Sequence, residues 1–189
     1  MEVTLRGLVS LMHGLLFGGF FLMAVFGVVV ELGRSAYARE ASELTPRGYR
    51  LESIYLAVTV GLGWAAVLSG AYLVYPWYRA ALPAGVVDLA GYPQRLLLSK
   101  ATTAGWHTLG MEWKEHVAWF SPMAITMVAY VLVKYRGTIR QHPEVKRAVL
   151  AFAMVALLAT GIAGFWGATI DEVAPAQGGR MVMFMGSAK

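Results

Sequence analysis

With no cysteine in the chain, metal and redox chemistry fall to its four histidines, supported by methionines and carboxylates. The same absence excludes disulfides, thiolate metal sites, iron–sulfur ligation and covalent c-type haem attachment. His13 lies inside the run Leu8 to Leu32, LVSLMHGLLFGGFFLMAVFGVVVEL, and is its one strongly polar side chain before Glu31. An ionisable group at membrane depth is costly, so it has a partner or a cofactor as a rule. His116 heads another apolar run, where EWKEH meets VAWFSPM. Two neutral imidazoles on facing helices are what a six-coordinate haem iron needs. At about 1.5 Å of rise per residue, the expected depths of His13 and His116 differ by less than the width of a haem. Gly14 would ease crowding beside the ring, and Arg6, Arg95 or Lys114 would meet the propionates. In the blander reading, His13 hydrogen-bonds a neighbouring helix and His116 is an ordinary interfacial residue.

Other clusters carry weaker signals. Glu112 and His116 are four apart and share a helix face, with Glu115 beside them, and Asp171 and Glu172 fall at a similar level. Carboxylates with a histidine could hold a metal or relay protons from a quinol, but a solvated helix end with Lys114 partly neutralising it is the favoured reading. His107 precedes His116 by nine residues, which on a regular helix sets it on the opposite face. It is read as a loop residue, with an outer ligand or a quinone contact as its alternative role. His142, in RQHPEVKR, is read as solvated. Met181, Met183 and Met185 alternate in the tail, a spacing open to copper(I) but better suited to a lipid-facing or partner-facing strand.

These residues are carried by a chain of 189 residues, 58% hydrophobic and 14% charged. A soluble domain carries roughly a quarter charged residues. Four apolar stretches, about 8–32, 53–76, 116–135 and 147–170, reach the length of roughly 20 residues that spans hydrocarbon. The expectation is an all-α integral membrane four-helix bundle over 1–175, with a tail over 176–189. The first run is too long for a signal-peptide core and is kept as a helix of the mature chain. Arg34, Arg39, Arg47 and Arg50 fall in the first connection, and Lys134, Arg136, Arg140, Lys146 and Arg147 in the third. The positive-inside rule places both connections in the cytoplasm and both termini outside, in an inner (cytoplasmic) membrane. The net charge of +5 is thus an orientation signal and calls for no nucleic acid.

Small residues recur every fourth position at Ser10, Gly14 and Gly18, at Ala57, Gly61 and Ala65, and at Thr160, Gly164 and Ala168. Such stripes let helices approach closely, or leave room for a flat ring. Tyr75 to Tyr78, Trp106, Trp113, Trp119 and Trp166 form an expected outer aromatic belt. The connection 77–115 is long enough to cap a cofactor or bind a partner subunit. A turn at Tyr92-Pro93, a short helix over Gln94 to Ser99 and an early helical start near Thr103 to Gly110 are expected within it. No Walker loop, dinucleotide fingerprint, HExxH or nucleophile elbow is present, nor the charge pairs and broken half-helices of many transporters.

Four spans, histidines on two of them and short basic loops together resemble small membrane cytochrome b subunits. Many of those stack two haems on four histidines, whereas the runs 53–76 and 147–170 contain none here. The resemblance therefore implies a single b-type haem near the outer face. It would be ligated by His13 and His116, with Trp113 and Trp106 at its edge. The expected function is a redox subunit of a respiratory or photosynthetic complex, passing electrons among quinol, a periplasmic cytochrome c and partner subunits. It is not expected to be an enzyme by itself. A cofactor-free anchor subunit and a chlorophyll-binding subunit, with His13 on the magnesium, are the alternatives.

Overall fold

Length and apolar composition set the architecture before any tertiary contact forms. In the computed structural model, which describes residues 2–37 and 45–183, four helices are long and apolar enough to cross a membrane. They are span 1 (Leu5–Arg34), span 2 (Pro46–Tyr78), span 3 (Ala101–Lys134) and span 4 (Pro143–Val173). These mark a multi-pass membrane protein. In lipid every backbone group must bond internally, which only such helices or a closed barrel achieve. Thr4 caps span 1, its Oγ1 accepting from Gly7 N at 3.1 Å, and Thr45 caps span 2 in the same way at 3.2 Å.

The first and last described strands meet at one end of the bundle. Strand β1 (Glu2–Thr4) pairs antiparallel with β2 (Met181–Met183), Val3 opposite Val182. Thr4 Oγ1 also accepts from Gly178 N at 3.3 Å. Gly178 and Gly179 have φ of 112° and 82°, a left-handed turn that other residues would strain. Met181 and Met183 are exposed on β2, while Met185 lies outside the described residues. The end with both strands is called here the terminal end, and the opposite end, where span 1 finishes, span 2 begins and connection 135–142 lies, the loop end.

Span 3 is helical from Ala101, so the connection before it is shorter than the apolar pattern alone implies. A short helix over Pro93–Leu98 lies within it. Leu97 of that helix is fully buried against Tyr78, Met111, Ile170 and Ala174, a small core that seals the terminal end.

The larger core runs toward the loop end. Phe21, Val25, Val28 and Leu32 recur at three- and four-residue steps along span 1 and meet Leu56, Ile125, Val128, Val149 and Ala153. Because lipid gives no hydrophobic drive between helices, close fit and interhelical hydrogen bonds hold the spans together. Tyr55 Oη donates to Ala24 O at 2.7 Å, Trp64 Nε1 to Thr126 Oγ1 at 3.1 Å, and Ser121 Oγ to Ala156 O at 2.8 Å. At the loop end Arg136 donates to Ser53 Oγ at 2.8 Å and to Tyr49 O at 3.4 Å.

The stripes of small residues are not the closest contacts. A Cβ added at Gly14, Gly61 or Gly164 would meet nothing within 4 Å. The glycines that matter each receive a large side chain: Gly27 takes Tyr55, Gly63 takes Phe21, Gly70 takes His13, Gly110 takes Trp166 and Gly167 takes Lys114. At Gly63 the new Cβ would stand 2.7 Å from two atoms of the Phe21 ring. Gly63→Ala is therefore expected to cost about 1–3 kcal/mol, while Gly61→Ala is expected to be neutral or mildly stabilising. Thermal unfolding of the two variants in one detergent checks the contrast, and equal melting shifts would contradict it.

Candidate functional site

The terminal half of the bundle departs from regular α-helix. Met12–Gly19 of span 1, Gly70–Val74 of span 2, and Trp106–Met111 and Trp113–Val117 of span 3 are π-helical. Such insertions are rare and concentrate at functional sites. Here three of the four spans carry them, all toward the same end. Lys114 lies twenty residues from Lys134 along span 3, about 30 Å of helix, a length close to the thickness of a hydrocarbon core.

His13 is partly buried and turned toward span 2. Its Nδ1 lies 3.1 Å from Ser69 Oγ. The Ser69 hydroxyl also lies 3.1 Å from Ala66 O and can donate to it. With that proton on Ala66 O, Ser69 Oγ accepts from His13 Nδ1–H, and a neutral ring so bonded keeps its lone pair on Nε2. Gly70 is what allows the approach: a Cβ there would lie 2.6 Å from Cε1 and 3.2 Å from Nε2. One turn before His13, Ser10 Oγ is buried with no partner among the described residues.

Span 3 turns Lys114, not His116, toward this region. Lys114 reaches span 4 beside Gly167. Its Nζ lies 3.1 Å from where Gly167 would carry a Cβ. His116 points outward, 69% exposed, with Nδ1 3.1 Å from Glu112 O and 3.3 Å from Glu112 Oε2 on its own helix. Sequence spacing placed the two histidines at one level. In the structure His13 is turned to Ser69 of span 2, while His116 lies on the exposed side of span 3 against Glu112.

The remaining expected residues are spread above this level. His107 stacks on Tyr78, ring centroids 5.9 Å apart, with Tyr78 Oη 2.6 Å from Nδ1 and Gln94 Nε2 3.5 Å from Nε2. Both of its nitrogens thus face protein partners. Trp113 Nε1 donates to Ala159 O at 3.2 Å and bolts span 3 to span 4. Arg6 lies over the Trp77 ring at 5.6 Å, beside Gly178 and Gly179. Gly14 is exposed. Sequence reading missed Ser69, Gly70 and the pair Arg79–Glu115, which bonds at 3.3 Å between span 3 and the end of span 2. Among the described residues, no group of three or more histidines and carboxylates is arranged to hold a metal ion.

No protein-family model, no curated protein and no solved structure matches this chain. The hydrogen bond between His13 and Ser69 has a direct energetic test. Ser69→Ala is expected to cost about 1–3 kcal/mol, because a ring N–H loses its acceptor in an apolar setting. His13→Leu together with Ser69→Ala should cost less than the two singles summed, by about 0.5–2 kcal/mol. Strict additivity in thermal or denaturant unfolding would show that the two side chains do not interact.

Proposed function

We propose that this protein is a membrane redox subunit that offers His13 Nε2 as an axial ligand to one b-type haem at the terminal end of the bundle. The observation that carries the reading is the contact of His13 Nδ1 with Ser69 Oγ at 3.1 Å, which suits Nδ1 as the donor and Nε2 as the ligating nitrogen. Ligating histidines donate their other ring N–H to a fixed acceptor, which orients the ring and keeps the ligating nitrogen bare. The buried, unpartnered Ser10 hydroxyl one turn away also favours a site where something polar binds. A haem bound there would supply one-electron iron chemistry near the membrane boundary.

The chain's own part is to position and shield. Ser69 holds Nδ1, and Gly70 gives the imidazole room against span 2. Lys114 brings a positive charge to the same level, suited to a carboxylate such as a propionate. His116 becomes a second ligand only if span 3 turns it inward. With positive connections inside, the terminal end faces outward. The segment 79–100, where Val87 is 90% exposed, then faces a cytochrome c or a catalytic subunit. Tyr78 and His107 form a pair able to pass a proton to or from a quinol.

A cofactor-free anchor is the second reading. It is favoured by Gly70, Gly110 and Gly167, whose spaces are filled by the chain's own His13, Trp166 and Lys114. The purified protein, expressed with ample haem, separates the readings. The redox account expects a reducible α-band that His13→Ala abolishes and that survives in His107→Ala. No visible absorption would leave the anchor, and a red chlorophyll band would select the pigment alternative. A haem band unchanged in His13→Ala would refute the ligation.

A further inference from the structure

At the loop end, away from the histidines, spans 3 and 4 leave two adjoining grooves of about 330 Å³ each. They share Val131 and Val145. The first lies among Met127, Ala148 and Phe152 with Glu144 also in its wall, and the second continues past Tyr135 and Ile139 to His142. The walls are almost wholly apolar, and Phe152 and Val145 stand 49% and 38% exposed. From Val145 to Phe152 the groove follows two turns of span 4, about 10 Å into the hydrocarbon.

The segment that includes the groove's mouth is basic in sequence. Residues 134 to 147 carry five lysines and arginines against one acid, Glu144, although Arg136 among them turns to Ser53 and Tyr49 of span 2. That acid is already engaged: His142 Nδ1 lies 3.2 Å from its Oε1, and Arg147 acts on it electrostatically. Lys134 stands over Tyr130, Nζ 5.1 Å from the ring centroid, and 5.9 Å from that of Tyr135 in the groove wall. An apolar channel entering hydrocarbon beneath a cluster of cations matches one kind of molecule, a chain of methylenes under a negatively charged head.

We infer that this groove binds one anionic phospholipid, an acyl chain lying along Ala148 and Phe152 and the phosphate facing Lys134 and Arg147. The lipid joins spans 3 and 4 on the side where the connection between them is shortest.

Native mass spectrometry of the protein from mixed phosphatidylglycerol and phosphatidylcholine nanodiscs tests the site. One phosphatidylglycerol per chain should be retained in preference to phosphatidylcholine. Ala148→Trp, which fills the groove, should lose it, while Leu158→Trp, on an exposed face of the same span, should keep it. Lys134→Gln with Arg147→Gln leaves the groove open and should lower the preference for phosphatidylglycerol about tenfold. Equal retention of both lipids, or retention unchanged in both Ala148→Trp and the charge variant, would overturn the inference. So would a dimer mass that Ala148→Trp abolishes, since a second copy would then be the occupant.

Discussion

The hydrogen bond from His13 to Ser69 is the contact on which the terminal half of this bundle depends. A membrane interior offers an imidazole no water, so the ring needs an acceptor from another span or must leave. Ser69 Oγ serves as that acceptor when its own proton goes to Ala66 O. The ring can come so close only because residue 70 has no side chain. This one contact ties span 1 to span 2 at the terminal end.

The two halves of the bundle solve different problems. Toward the loop end, regular helices pack Phe21, Val25, Ile125 and Ala153 with no buried charge, and Arg136 ties the spans from outside the core. Toward the terminal end, polar side chains enter the interior and the helices take up π-helical turns to aim them. A π-turn forgoes the better-packed α geometry, and it persists where surrounding contacts over-determine it. Trp113 bonded to Ala159 O, Tyr78 stacked on His107 and Arg79 paired with Glu115 are those contacts here.

What the sequence made legible follows the same division. Apolar runs and charge-rich connections identified four membrane helices, because hydropathy over twenty residues is a signal that local detail does not blur. His13 stood out for the same reason, as one imidazole in an apolar run. The short helix before span 3 was readable from Pro93 and the turn ahead of it. The facing of His116 was not readable. Face assignment counts 3.6 residues per turn, and two π-helical segments lie along span 3 between His107 and Val117. The small-residue stripes misdirected in a similar way: Gly14, Gly61 and Gly164 face open space, while Gly63, Gly70, Gly110 and Gly167 accept aromatic, imidazole or lysine side chains. Which glycine admits a neighbour depends on helix rotation and on the partner opposite, neither of which a single sequence records. The pairing of β1 with β2 joins residues nearly the whole chain apart, beyond any local pattern.

Nitrogen NMR of histidine-labelled protein in lipid bilayers at neutral pH reads the state of His13 directly. The account predicts one neutral form for this residue, protonated at Nδ1 and bare at Nε2, and predicts that Ser69→Ala disperses it into a mixture. A proton found on Nε2 in the unaltered protein, or an imidazole signal indifferent to Ser69, would contradict it.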